Sequence, residues 1–163
     1  MTLLMPSKES ANNGGSSVPS LGFREASFAD LDLLAVMNAE LLTYELGSAP
    51  PVERLRAQLE SFFAQGARAT VMIILGMPAG YALHNEGPDL MHLQHFLIRA
   101  PWRGMGLGAA FLRHLESALE SPKPIQVEAL LSNGKGLAFW RSHGFGDFYL
   151  GLRKNPVAAD ARG

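Results

Sequence analysis

The sequence predicts an α/β fold in which helices layer against a sheet that mixes hairpins with crossover connections. Three observations carry this. Apolar runs of strand length, such as ATVMIIL at 69–75 and LMHLQHFLI at 90–98, alternate along the chain with stretches whose apolar residues recur at helical spacing. The runs in the middle of the chain are separated only by the turn signals GMPAG and EGPD, which make hairpins, whereas the later runs are separated by helix-length segments, which make crossovers. With 163 residues, 47% hydrophobic and 18% charged, the chain can bury a core and is too apolar to be disordered throughout.

Each element has its own reason. Residues 6–20 are rich in Ser, Asn, Gly and Pro and cannot repay the entropy of ordering, so 1–20 reads as a disordered tail, 21–155 as the domain and 156–163 as a second tail. LGFREAS at 21–27 reads as a short strand. Ser27 with Asp30 three residues on resembles a capping box, after which Phe28, Leu31, Leu34, Ala35, Leu41 and Leu42 mark the buried face of a helix to about Leu46. Pro50 and Pro51 open a second helix, with Val52, Leu55, Leu59, Phe62 and Phe63 on one face. ATVMIIL is a fully buried strand, GMPAG turns into YALHN, and EGPD turns into the long strand at 90–98. A further helix turns Leu107, Ala110, Phe111, Leu115, Ala118 and Leu119 inward. PIQVEALLS at 124–132 is the next strand, NGKGLAFWRSHG at 133–144 a short helix, and FGDFYLGLR at 145–153 the last strand.

Composition excludes several functions. A net charge of −1 gives no general pull toward nucleic acid or an anionic membrane. Cysteine is absent, which removes disulfides, thiolate zinc sites and a cysteine nucleophile, and no metal is expected. No apolar run approaches the roughly 18 residues of a membrane span, and the first 20 residues lack the pattern of a signal peptide, so a cytoplasmic location is expected.

The most informative stretch is RAPWRGMGLGAAFLRHL at 99–115, with Gly104, Gly106 and Gly108 at alternate positions at the mouth of a helix. A helix begun by a bare loop presents unpaired N–H groups and the positive end of its dipole, a ready site for phosphate. The same glycines could instead serve a sharp strand-to-helix turn. GMGLGA also matches the GxGxxA dinucleotide fingerprint, with Glu128 at about the right distance for a ribose. That motif normally follows the first strand directly, and here only about 55 residues remain to complete a doubly wound fold.

Taken together, Ile98, the linker RAPW, RGMGLG and then Asn133, Gly136, Phe139, Trp140, Gly144 and Phe145 resemble the GNAT superfamily of N-acetyltransferases. The resemblance covers about 130 residues, from Leu21 to Arg153. It implies a mixed, mostly antiparallel central sheet with a splayed parallel pair and flanking helices. It implies acetyl-CoA as cosubstrate, held where the parallel strands part. By position, backbone of Phe96, Leu97 and Ile98 would pair with the thioester and pantetheine arm, and amides of Arg103, Gly104, Met105, Gly106, Leu107 and Gly108 would take the pyrophosphate. Asn133 would touch the pantetheine, its alternative role being a helix cap. Phe139 and Trp140 would lie near the thiol.

The resemblance further implies acetyl transfer to a primary amine of a small molecule or peptide by direct attack in a ternary complex. His92 stands where relatives of the histone type carry a glutamate base, and imidazole is the side chain that ordinarily changes charge near neutrality. Strand alternation puts His95 on the opposite face unless a bulge intervenes; His95 is the second candidate, with Glu128 and His84 behind it. Trp140 departs from the pattern, because many relatives carry there a tyrosine that protonates the leaving thiolate, and indole cannot. Tyr149 and Tyr81 are the replacement acids to consider, and a non-catalytic acyl-CoA sensor is the alternative function. Residues 28–66 hold six carboxylates against two arginines, which leans the acceptor toward a cation. A homodimer accords with families of this kind.

Overall fold

The structure is a computed structural model and describes residues 20–156. The expected tails therefore lie almost wholly outside the described residues. These fall into two compact units, one ending at Glu128 and the other beginning at Ala129.

The first unit is a five-stranded sheet with helices on both faces. Strands β1 (Leu21–Glu25), β2 (Arg68–Ile74), β3 (Met77–Glu86), β4 (Met91–Ile98) and β5 (Ile125–Val127) lie side by side in chain order. The first four are mutually antiparallel, and β4 with β5 is parallel. This is the mixed sheet the sequence led us to expect.

Helices α1 (Leu31–Leu46) and α2 (Val52–Ala64) cover one face. Leu34, Met37, Leu55 and Leu59 are fully buried there against Val71, Tyr81, Leu83 and Leu97 of the sheet. Burying each such side chain contributes roughly 1.5–3 kcal/mol. The capping box forms as expected: the Ala29 N–H donates to Ser27 Oγ at 3.3 Å and the Ser27 N–H to Asp30 Oδ2 at 2.8 Å. It opens a 3₁₀ turn, Phe28–Asp30, that runs into α1. Asp30 also holds Arg24 through two bonds of 2.7 and 2.9 Å, which fastens the start of α1 to β1. Helix α3 (Leu107–Ser117) covers the other face, where Phe111 packs on Phe23 and Phe96 with ring centroids 5.3 Å apart. No described helix is long and apolar enough to cross a membrane.

Several expectations are corrected. Phe28 is exposed, its ring meeting that of Phe63 edge to face, because the capping turn swings it clear of the helix face. The β2–β3 turn is Leu75–Gly76 rather than GMPAG, and β3 starts at Met77. Pro78 is tolerated in this central strand because Ala79 is an extra residue there, a bulge that breaks the ladder locally. Gly80 has a packing reason, since a Cβ there would collide with the Leu97 carbonyl. Helix α3 stops at Ser117, leaving Ala118 exposed as its C-cap. Strand β5 is three residues long instead of nine, because β4 offers it partners only from Met91 to Leu93.

In the second unit α4 (Gly134–Ser142) is the one element among the described residues. The expected last strand at 145–153 is absent. It is rich in aromatic and apolar residues, but Phe148 is 83% and Leu152 88% exposed, and β propensity makes no strand where no ladder partner is supplied.

Candidate functional site

The two sides of β4 differ. Along one edge β3 pairs with it from Met91 to Ile98, whereas along the other β5 pairs only from Met91 to Leu93. The parallel ladder with β5 thus ends at Leu93, five residues before β4 does. It ends where β4 itself is irregular. His95 pairs with Leu83 and Leu93 with His84, which leaves Gln94 as an extra, bulged residue. Its Oε1 is buried with no hydrogen-bond partner among the described residues.

The bulge decides where the candidate bases point. Residues opposite one another in an antiparallel ladder share a face, and Asn85, Leu83 and Tyr81 stand opposite His92, His95 and Leu97. His92 and His95 therefore lie on the same, α1–α2 face, where simple alternation would have separated them. They differ in exposure. The His92 side chain is 36% exposed, and its Nε2 lies 4.0 Å from Oε1 of Glu128, the residue that follows β5. His95 is enclosed. Its Nδ1 is 2.9 Å from the hydroxyl of Tyr81, and its ring meets the rings of Tyr81 and Phe62 edge to face. Burial lowers its basicity, to a pKa of about 4, and pushes the Tyr81 phenol up. Near neutrality His95 is thus an uncharged, positioned ring, and Tyr81 is a buried hydroxyl committed to it.

At the far end of β4 the chain makes a 3₁₀ turn, Ala100–Trp102, and enters the glycine loop. Gly104 and Gly106 sit at φ of 77° and 74°, the left-handed region that other residues occupy only with strain. Gly106 is the N-cap of α3 and no side chain caps that helix, so its first amides are left for a ligand. A Cβ at Gly104 or Gly106 would meet no atom within 4 Å, so the space before the loop is open. The Arg103 N–H donates to the Ala100 carbonyl at 3.3 Å. The Arg103 side chain is also engaged, with Nε donating to the Ile98 carbonyl at 2.8 Å and the guanidinium 4.2 Å above the Tyr44 ring. Of the strand residues expected to hold the cosubstrate, Phe96 packs its ring on Phe111 and Leu97 is buried.

Charge is more balanced than the composition suggested. Arg99 grips Glu40 through two bonds of 2.7 and 3.0 Å, Arg56 pairs with Asp32 and Glu60, and Arg24 with Asp30. Four of the six carboxylates in 28–66 are therefore neutralised locally, including Glu40 in the groove of about 570 Å³ that runs past Tyr44 and Arg103. Arg24 and Arg99, which lie outside 28–66, halve the excess of negative charge there.

The remaining expected residues belong to the second unit. Asn133 caps α4, its Oδ1 accepting from the Gly136 N–H at 2.9 Å. Trp140 is the centre of an aromatic cluster, with its ring 4.9 Å from Phe139 and 5.0 Å from Phe145. Tyr149 is more than half exposed. The signals that sequence reading underused were the proximity of Glu128 to His92 and the Tyr81–His95 bond, both of which follow from strand register.

Comparison with known proteins bears on this arrangement. Residues 34–145 match the model of the acetyltransferase (GNAT) family. A possible acetyltransferase from Clostridium difficile 630 has the same fold, with a TM-score of 0.70 at 15% identity over 85% of this chain and 99% of that one. A predicted acetyltransferase from Clostridium acetobutylicum, solved with acetyl-CoA, gives 0.66 at 18% identity over 83% and 96% of the two chains. The aminoglycoside N-acetyltransferase AAC(6')-Iy in complex with CoA gives 0.66 at 12% identity over 87% and 98%. Among curated proteins none matches the sequence. A parallel ladder that stops midway along β4, a glycine-opened helix after that strand and a family match across most of the same elements lead to one conclusion: the chain belongs to the GNAT family of acetyltransferases.

Proposed function

We propose that the protein transfers an acetyl group from acetyl-CoA to a primary amine, the amine attacking the thioester directly in a ternary complex. The observation that carries this reading is a helix with no side-chain cap, opened by two left-handed glycines, at the end of a strand whose parallel ladder stops at Leu93. The donor set fits the cosubstrate. Amides from Gly104 to Gly108 suit the pyrophosphate, and the stretch of β4 beyond its ladder with β5 suits the pantetheine arm, with the orphaned Gln94 Oε1 a further acceptor there.

For the proton chemistry we favour His92. An amine attacks only as its free base, so a proton acceptor open to solvent is needed, and His92 is half-exposed with the Glu128 carboxylate beside it. That carboxylate would stabilise the imidazolium formed when the proton is taken. His95 serves as a positioning residue through Tyr81, because burial makes its ring a weak base. Tyr149 is the remaining side-chain candidate to protonate the thiolate, water being the other source. The aminoglycoside neighbour acts on an amine, which supports the acceptor class without naming the molecule.

The test is thiol release from acetyl-CoA across a panel of aminoglycosides, polyamines, amino acids and peptides. Turnover with any amine, and none with alcohols of the same skeleton, is the expected result. Tight binding of acetyl-CoA with no turnover of any acceptor would overturn the transferase reading in favour of an acyl-CoA sensor.

A further inference from the structure

We propose a second binding site on the α3 side of the sheet, for a small uncharged molecule that joins an apolar ring to an amide or ring-nitrogen group. A cavity of about 230 Å³ lies at the end of the sheet where β4 begins, lined by Phe23, Arg68, His84, Glu86, His114 and Leu115 among others. At about 3.3 Å per residue, Met91 there is some 23 Å along β4 from Ile98, where the glycine loop departs. The site shares no residue with that loop or with the His92–Glu128 pair, so the inference stands whether or not acetyl transfer does.

Two features of the lining select the ligand. The first is an unsatisfied group: His84 is only 8% exposed, and its Nδ1 has no hydrogen-bond partner among the described residues. Buried polar atoms are almost always paired, so a ring left in this state at the wall of a cavity marks a place where a donor or acceptor from outside belongs. His114 adds a second imidazole, stacked on Phe23 at 4.0 Å and 8° between planes. Burial lowers the basicity of both rings, and Arg68 opposes protonation of His84 while Glu86 and Glu25 favour it. Uncharged, each imidazole carries one N–H and one lone pair.

The second feature is that the charged side chains of the wall are already committed. Arg68 holds Glu25 through bonds of 2.9 and 3.0 Å, and Arg24 holds Asp30. Glu86 receives the nearly buried Lys123 at 2.7 Å and the Glu120 N–H at 3.4 Å. An ion entering the cavity would shed its water and find no uncommitted counter-charge, whereas a neutral molecule meets donor, acceptor and an apolar floor of Leu115, Met91 and Phe23. With water occupying about 30 Å³, the volume equals about eight waters, which is room for one substituted ring.

Benzamide is the probe, with benzoate and benzylamine as charged analogues of nearly the same shape, each titrated into the full chain while the imidazole resonances of His84 and His114 are followed by NMR. Saturable shifts of both rings with benzamide are expected, with each charged analogue at least tenfold weaker. His84→Phe should abolish the response. Ala118→Trp, on the exposed rim of the cavity, should weaken it at least tenfold, and it keeps the test decisive where the buried variant fails to fold. No saturable shift up to several millimolar benzamide overturns the proposal, and so does a charged analogue that binds equally well.

Discussion

Replacing Gly106 by valine separates the cost of backbone strain from the cost of a blocked ligand. Gly106 has φ of 74°, where an L residue loses roughly 1–2 kcal/mol and a β-branched one somewhat more. Its Cβ would meet nothing within 4 Å, so strain is the whole expected penalty for the free protein. At a few degrees per kcal/mol, Tm should fall by about 4–8 °C. Affinity for CoA should fall further. If the amides at this helix mouth bind pyrophosphate, a side chain standing before them removes charge-assisted bonds that contribute on the order of 2 kcal/mol, about 30-fold in Kd. Gly66→Val is the matched control, because Gly66 has φ of 92°, equally open surroundings and a place before β2, at the other end of the sheet. Calorimetry with CoA and thermal melts of both variants form the assay. Gly66→Val should lose stability and keep its affinity, and Gly106→Val should lose both. A folded Gly106→Val that binds CoA as tightly as the parent would refute the assignment of the loop.

Substituting His92→Ala should lower kcat by about 10²-fold or more with CoA affinity nearly intact, general bases contributing 10²–10⁴. An acidic limb that persists near pH 4 in that variant would instead move the role to His95, whose ring burial brings to about 4. Trp140→Phe should preserve most activity and Trp140→Tyr change it less than tenfold, measured at saturating acetyl-CoA; a gain far above tenfold with tyrosine would mean that the parent lacks an acid it needs. Asp30 predicts a pH effect on stability. Its carboxyl is held at a pKa of about 2, chiefly by the hydrogen bonds from Arg24, so the stabilisation is full above its ordinary value near 4 and is lost as pH falls through about 2. Urea melts should show the parent losing about 1–2 kcal/mol more than Asp30→Asn between pH 5 and pH 2, and equal losses would refute the linkage.

Much of the fold was legible in local pattern. The capping residues Ser27 and Asp30, the buried face of α1 from Leu31 to Leu41 and the apolar run of β2 all formed where periodicity placed them. These features depend on residues a few positions apart, whose geometry is set by the backbone alone. The left-handed glycines at the mouth of α3 belong to the same class, since the positions that need a bare backbone show directly in the chain. Misplaced elements were those that depend on a distant partner. PIQVEALLS has the composition of a long strand, yet only Ile125–Val127 finds a ladder, and FGDFYLGLR finds none.

What the sequence determined by itself was therefore the kinds of element and their order as far as α4, and the positions where the backbone turns left-handed. Tertiary structure decided which side chains meet. One extra residue, Gln94, rotates His95 onto the face of His92; the same ladder carries Tyr81 to 2.9 Å from the His95 ring, and the parallel pairing of β4 with β5 brings Glu128 to 4.0 Å from His92. Charge followed the same rule: Glu40 counts as an acid along the chain, but Arg99, 59 residues away, neutralises it. The physical reason is that side-chain direction in a sheet has a period of two, so one inserted residue reverses every later position, and only pairing with a neighbouring strand reveals the insertion.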